Sequence, residues 1–121
     1  MEAFPVANSV SWFEIIGKDG PKLRDFYRRL FDWQFHEANE MDYGMLDSGS
    51  GGIGGGIGSG TGTMPSYVAI YVQVSDINAS LNQAEQLGGK TVIPRTVVPN
   101  QVIFALFTDP EGHYVGLMEG M

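Results

Sequence analysis

The sequence predicts an α+β fold made of two βαβββ modules. Three observations predict it. Each of two amphipathic helices follows a strand, short strands follow each helix, and the order of elements in the first half of the chain returns in the second. Such self-similarity indicates a duplicated unit. With 121 residues, the chain is long enough for one domain with a buried core.

The first module begins with a strand at residues 10–16 and a helix capped by Asp19. Apolar residues recur at helical spacing and predict a buried helix face, while Arg24 and Arg28 are expected on the solvated side. The predicted buried face consists of Leu23, Phe26, Tyr27, Leu30 and Phe31. Two short strands follow, in WQFHEA and DYGMLD.

The second module begins with SYVAIYVQVS, which alternates strictly between two faces. Asp76 caps a second helix, and Gly88 and Gly89 end it. Three more strands are predicted, in KTVIP, VIFALFTD and HYVGLME. The turn DPEG joins the last two.

The stretch SGSGGIGGGIGSGTGT, residues 48–63, is predicted to contain the last strand of the first module. Overlaying the two modules matches Gly54 with Gly116. Interior strand glycines cost about 0.5–1 kcal/mol each relative to alanine. This strand therefore needs a close neighbour, either a ligand, the matching strand of the other module or a second subunit. We expect module one at about 8–57, a linker at about 58–66 and module two at about 67–121.

Strand alternation separates an apolar face from a mixed one. The apolar face, expected under the helices, carries Phe13, Ile15, Val68, Ile70, Val72, Val74, Val115 and Leu117. The mixed face carries Trp12, Glu14, Tyr71, Gln73, Tyr114 and Met118, together with Gly116. Rings, an amide and a carboxylate suit a pocket for a flat, partly apolar small molecule. The same residues are also consistent with side chains that merely fill the space on this face, or with a subunit contact.

Composition narrows the classes of partner. A net charge of −7 and a pI near 4.5 argue against nucleic acid and anionic membranes as partners. The absence of cysteine excludes disulfides, thiolate metal sites and a cysteine nucleophile. Neither a signal peptide nor a membrane span is visible, so a cytoplasmic protein is expected.

Few residues suggest a catalytic or ligand-binding role by themselves. The glycine run fits G-x-G-x-x-G, but no helix follows it to hold a pyrophosphate. His36 and His113 are expected to be solvated or locally hydrogen-bonded, and Glu119 to be solvated. Glu14, a carboxylate on the mixed face, is a weak candidate for acid/base work.

The stretches WFEIIGKD…FYRRLFDWQF, GGIGGG, YVQVSDINASLNQAEQLGGKTVIP and FALFTDPEGHYVGLMEG resemble the vicinal oxygen chelate superfamily, the glyoxalase/bleomycin-resistance/dioxygenase fold. The resemblance implies that the two modules form a curved mixed sheet, a cup, with the helices on its convex side. In metal-using members, His, Gln or Glu ligands stand on the first and last strand of each module. Those positions fall here on Trp12, near Gly54, on Ala69 and on Gly116, none of which ligates a divalent cation. We expect no metal and no cofactor.

The sequence thus favours a metal-free member of this superfamily that binds a small organic molecule in its cup, as a homodimer. The dimer is expected from the family's habit of pairing modules and from the neighbour that the glycine strand needs. One alternative is a metal-dependent lyase, isomerase or dioxygenase. Another is a regulatory or interaction module with a filled cup.

Overall fold

The computed structural model describes residues 8–37, 42–47, 49 and 51–120. Its elements are β1 Val10–Gly17, α1 Gly20–Phe31, β2 Phe35–Glu37, β3 Tyr43–Leu46, β4 Gly54–Ser59, β5 Tyr67–Val74, α2 Ile77–Gln86, β6 Lys90–Val98, β7 Val102–Thr108 and β8 Tyr114–Glu119. This order confirms an α+β fold with two βαβββ modules. Within these residues, no helix has the length and apolar character needed to cross a membrane.

The chain divides into two compact units. Unit one is Trp12–Ala69, and unit two combines Ile70–Met121 with Met1–Ser11. In unit one the strands lie in the order β2-β3-β4-β1, and in unit two in the order β5-β8-β7-β6. Each unit has one parallel pair, β1 with β4 and β5 with β8, and its other pairs are antiparallel. The units therefore repeat one topology.

Strand register gives the correspondence between the modules. Trp12 pairs with Gly54 in unit one, and Tyr71 pairs with Gly116 in unit two. The counterpart of Trp12 is therefore Tyr71, two residues beyond the position that the family pattern assigns to Ala69. Tyr71 at that position does not supply the His, Gln or Glu ligand that metal-using members have there.

The core of unit two lies between α2 and the sheet. Asp76 caps α2 by accepting a hydrogen bond from the Ala79 amide, 3.1 Å away. The core consists of Ile77, Leu81, Ala105 and Leu117, with Val72, Val74, Ile103 and Phe107 packed against it. The apolar face expected under the helix is thus confirmed for the second half of β5. It is wrong for Val68 and Ile70, which are 69% and 45% exposed, because the buried side chains of α2 reach only the later residues of β5.

Helix α1 departs from the predicted orientation. Its buried residues are Gly20 and Arg24, four positions apart on one stripe. The Arg24 guanidinium donates to the Ile57 carbonyl oxygen of β4 and to the Asp42 carboxylate, both at 2.9 Å. The expectation of a solvated Arg24 was therefore wrong. Hydrogen bonding to the strand, rather than apolar burial, fixes this helix face.

The rotation of α1 leaves much of the predicted apolar face outside. Phe26, Leu30 and Phe31 are 55%, 57% and 53% exposed. The ring of Tyr27 stacks on Trp33, with centroids 5.6 Å apart. The amphipathic pattern thus predicts the helix correctly and its inward side incorrectly.

Candidate functional site

A hydrogen-bonded cluster in unit one surrounds the carboxylate of Glu14. Glu14 is 9% exposed. Its Oε2 accepts from the Tyr43 hydroxyl and its Oε1 from the Tyr67 hydroxyl, each at 2.9 Å. The Trp12 indole N–H donates to the Tyr43 oxygen at 3.1 Å. We call these four residues the Glu14 cluster. It joins two of the predicted site residues to two that the sequence did not single out.

The glycines of β4 make this cluster possible. Strand β4 runs between β1 and β3, and Gly56 stands opposite Glu14. A Cβ at Gly56 would coincide with the ring and hydroxyl of Tyr43, which crosses β4 to reach Glu14. A Cβ at Gly54 would lie 3.0 Å from the Trp12 ring. Bare backbone at these positions provides the space for two aromatic side chains.

The glycine strand therefore has its close neighbours within its own unit. On its other face, the Phe13 ring occupies the space that a Cβ of Gly55 would take. The strand assignment is confirmed, and β4 extends to Ser59, two residues into the expected linker. For Gly54, Gly55 and Gly56, the expectation that a ligand, the other module or a second subunit fills the space was wrong. Rings from adjacent strands fill it.

Burial keeps Tyr43 in its neutral form. Loss of hydration, followed by the negative charge of Glu14, raises the pKa of the Tyr43 hydroxyl far above its usual value. Tyr43 therefore remains a hydrogen-bond donor to Glu14 throughout the physiological pH range. Every buried side-chain nitrogen and oxygen atom of the described residues has a hydrogen-bond partner. The cluster is thus a satisfied polar network.

The other four predicted site residues lie in unit two, on β5 and β8. Register pairs Gln73 with Met118, and Tyr71 with Gly116, so these side chains share one face. The Tyr71 ring lies where a Cβ of Gly116 would be, and Tyr71 is only 5% exposed. Tyr114, two residues before Gly116, is half-buried on the same face of β8. The six predicted residues thus fall into two groups, one in each unit.

Tyr43 and Tyr67 were missed by the sequence reasoning, although both had a detectable pattern. Tyr67 begins β5 and shares the alternation of Tyr71 and Gln73. Glycine at every second position of β4, which includes Gly54 and Gly56, leaves room on one face for large neighbours. Tyr43, in the segment DYGMLD, is one such large neighbour.

The structure also corrects the expectation that Glu119 is solvated. Its side chain is 14% exposed rather than solvated, and it forms an ion pair with Arg95 at 2.7 Å. Its Oε2 also accepts from the Ile77 amide at 2.7 Å, at the first residue of α2. The Arg95 guanidinium and the Ile77 amide lower the pKa of Glu119. Glu119 thus anchors the start of α2 to β8.

The donor groups of the described residues do not fit the metal site of the metal-using relatives. His36 faces Asp47 at 3.2 Å and His113 faces Asp109 at 3.0 Å, both on the surface. No three His, Asp or Glu side chains converge among the described residues, and the chain has no cysteine. Both oxygens of Glu14 already accept tyrosine hydroxyls. A divalent cation needs three or four converging ligands.

Solved structures with the same fold share little sequence with this chain. Methylmalonyl-CoA epimerase from Mycobacterium tuberculosis matches with a TM-score of 0.66 at 11% identity, covering 100% of this chain and 93% of its own. A single-substitution variant of Streptomyces coelicolor methylmalonyl-CoA epimerase, in complex with 2-nitronate-propionyl-CoA, matches at 0.62 and 15% identity, covering 93% and 94%. A Legionella pneumophila structure described as an NAD-dependent benzaldehyde dehydrogenase matches at 0.65 and 17%, covering 94% and 99%.

These likenesses show the fold alone. A comparison with curated protein sequences gives no match. The family model described as Glyoxalase/Bleomycin resistance protein/Dioxygenase superfamily matches residues 9–117, which span both βαβββ modules. The chain therefore belongs to the glyoxalase/bleomycin resistance protein/dioxygenase superfamily.

Proposed function

We propose that this protein binds a small, partly aromatic organic molecule at the Glu14 cluster, without a metal ion. The observation that carries the proposal is the buried Glu14 carboxylate held between the Tyr43 and Tyr67 hydroxyls, with the Trp12 indole beside them. Aromatic faces and a few fixed polar groups are what small-molecule sites in proteins combine. A ligand would stack on the rings and exchange hydrogen bonds with the hydroxyls.

The fold neighbours are consistent with a small organic ligand. One of them is described in complex with 2-nitronate-propionyl-CoA and another in complex with methylmalonyl-CoA and NH4+. We extend to this chain only the general class, an organic molecule in place of a macromolecule. The negative net charge is consistent with this class because it disfavours polyanions.

The surroundings of Glu14 favour binding without a metal. Among the described residues, no further pair of His, Asp or Glu side chains converges with Glu14 to complete a set of three ligands. A metal-dependent lyase, isomerase or dioxygenase predicts a stoichiometric metal in the purified protein. Elemental analysis after expression in metal-supplemented medium distinguishes the two functions. One metal ion per chain, lost in Glu14→Gln, would contradict the metal-free proposal.

Fluorescence of Trp12 provides the binding test. The Trp33→Phe variant leaves Trp12 as the only indole, because the chain has two tryptophans. We expect ligands from a library of aromatic acids, aromatic amines and acyl thioesters to quench or shift its emission. Tyr67→Phe should weaken this response. Tyr27→Phe, which keeps its ring contacts outside the cluster, should leave the response unchanged.

The unit-two face gives a second set of variants for the same library. Gln73→Ala and Met118→Ala remove half-buried side chains that pair across β5 and β8. A ligand whose affinity falls in these variants makes contact with that face. No saturable response from any library member would favour the alternative, a regulatory or interaction module with a filled cup.

Proton transfer is a second candidate activity, favoured by the contact between the Glu14 carboxylate and the Tyr67 hydroxyl at 2.9 Å. A carboxylate and a hydroxyl at this distance can act together as an acid/base pair. For any ligand found, exchange of its C–H protons in D2O, followed by NMR, tests this activity. Exchange that persists unchanged in Glu14→Gln would exclude Glu14 as the base.

A further inference from the structure

Helix α2 packs closely on its sheet along only half of its length. The apolar residues of the helix and its C-cap recur at helical spacing, at Ile77, Leu81, Ala84 and Leu87. Ile77 and Leu81 are 0% and 6% exposed, whereas Leu87 is 71% exposed. Ala84, between the two halves, has only a methyl group to offer to the strands. An open groove therefore remains between the last turn of α2 and the sheet.

This groove has the size and the lining of a small-molecule site. Its volume is about 350 Å³, and ligand sites in proteins range from roughly 300 to 1,000 Å³. Its apolar lining from the strands includes Val72, Val74, Phe107 and Val115. Every lining residue that the structure describes belongs to unit two, so the groove is a different site from the Glu14 cluster of unit one.

Asp109 is the one acidic residue among the described lining residues of the groove. Its Oδ1 accepts from the backbone amides of Glu111 and His113, 2.9 and 3.0 Å away, and the His113 ring lies 3.0 Å from Oδ2. The backbone hydrogen bond from His113 contributes most to lowering the pKa of this carboxyl, so Asp109 is negative at neutral pH. The Asp109 side chain is 35% exposed and can therefore meet a ligand.

The charge at the groove favours one class of ligand. The other polar side chains of its described lining are neutral, and no Lys or Arg is among them; they belong to Asn8, Ser80 and Gln83. An anionic ligand would therefore meet a negative carboxylate and no lysine or arginine in this lining. An ammonium group would meet the opposite charge, and the net charge of −7 adds to this attraction.

We propose that the groove of unit two binds a small organic amine, with its apolar body between α2 and the sheet and its ammonium group at Asp109. This site is additional to the one proposed at the Glu14 cluster. Burial of the apolar body supplies most of the affinity. The carboxylate supplies the preference for a cation over a neutral molecule of the same shape.

Three probes of similar size test the proposal, namely phenethylamine, phenethyl alcohol and phenylpropionate. Amide NMR spectra of the wild-type protein follow binding, and the signals of Ala84, Leu87 and Val115 report the groove. We expect phenethylamine to bind up to about fivefold more tightly than phenethyl alcohol, the ratio that one exposed ion pair supports. Phenylpropionate should bind most weakly, and added salt should weaken the binding of the amine only. The Trp12 indole N–H reports the Glu14 cluster in the same spectra, so responses at the two sites are distinguished.

Variants separate the charge of the groove from its shape. Asp109→Asn keeps an oxygen for the backbone amides but removes the charge, and should abolish the preference for phenethylamine over phenethyl alcohol. Glu111→Gln, at an exposed position of the same turn that does not line the groove, should retain the preference. Ala84→Leu should abolish binding of both probes at the groove, because the larger side chain occupies the space of the ligand.

Several outcomes would overturn the proposal. Equal affinities of the wild-type protein for phenethylamine and phenethyl alcohol would do so, as would a preference that persists in Asp109→Asn. The absence of saturable shifts at the groove, or shifts confined to the Trp12 indole, would have the same consequence. Groove signals that move with protein concentration would show a second copy of the chain in the groove, which also contradicts an amine site.

Discussion

The hydroxyl of Tyr43 on β3 lies 2.9 Å from Oε2 of Glu14 on β1, although β4 runs between these two strands. Tyr43 reaches across because Gly56 has no side chain at the crossing point. The absence of a side chain at Gly56 thus allows Tyr43 to cross β4 and donate its hydrogen bond to the buried Glu14 carboxylate. Several properties of the protein depend on this arrangement.

Gly56→Ala should destabilise the protein by about 1–3 kcal/mol, because the added methyl group meets the Tyr43 ring. Urea denaturation measures the loss. The double variant Gly56→Ala/Tyr43→Leu should show a smaller loss than the sum of the two single changes, since leucine leaves room for the methyl group. Strictly additive losses would contradict the crossing of Tyr43 over Gly56.

Tyr43→Phe should cost about 1–3 kcal/mol at neutral pH, since it removes a donor to Glu14 and the acceptor of the Trp12 N–H. It should also change the alkaline behaviour. The folded-state pKa of Tyr43 is raised, whereas the unfolded chain ionises near pH 10. Above about pH 10 the unfolded state therefore releases a proton that the folded state keeps, and stability falls as pH rises.

The measurement for this alkaline effect is the urea midpoint between about pH 9 and about pH 11. The midpoint of the wild-type protein should fall more steeply than that of Tyr43→Phe. Tyr27→Phe, the control, should keep the wild-type slope. Identical slopes for the wild type and Tyr43→Phe would show that Tyr43 ionises normally.

Arg24→Met should destabilise the protein by about 1–3 kcal/mol, because it leaves the buried Ile57 carbonyl oxygen without its donor and the Asp42 carboxylate without the guanidinium. Arg29→Met, on the same helix but 80% exposed, should change stability by less than about 1 kcal/mol. Thermal or urea unfolding compares the two. Equal effects would contradict the buried role of Arg24.

Glu119→Gln should make the free energy of unfolding less dependent on pH in the acid range. The folded-state pKa of Glu119 is lowered, so its contribution is present above the unfolded value of about 4.3 and is lost as pH falls through the folded value. The wild-type urea midpoint should therefore rise with pH across this window, and less so in Glu119→Gln. Glu111→Gln, an exposed control, leaves the pair with Arg95 intact and should keep the wild-type slope.

The homodimer stays a prediction with one of its two grounds removed. One of its two grounds was the need of the glycine strand for a close neighbour, and the rings of Trp12, Phe13 and Tyr43 meet that need within unit one.

The sequence by itself determined the order of elements, the caps at Asp19 and Asp76, and the duplicated topology. These features depend on local hydrogen bonds and on periods of two and 3.6 residues, which can be read along the chain. It also placed Trp12 and Glu14 on the face that forms the cluster.

Only the tertiary structure decided how α1 is rotated and which residues complete the cluster. The amphipathic pattern considers only apolar side chains. Arg24 faces β4 because the buried Ile57 carbonyl oxygen needs a donor there and the Asp42 carboxylate pairs with the guanidinium. Tyr43 and Tyr67 meet Glu14 from 29 and 53 residues away in sequence. Contacts at such separations depend on strand register and on the space left by Gly56, and no local pattern specifies either one.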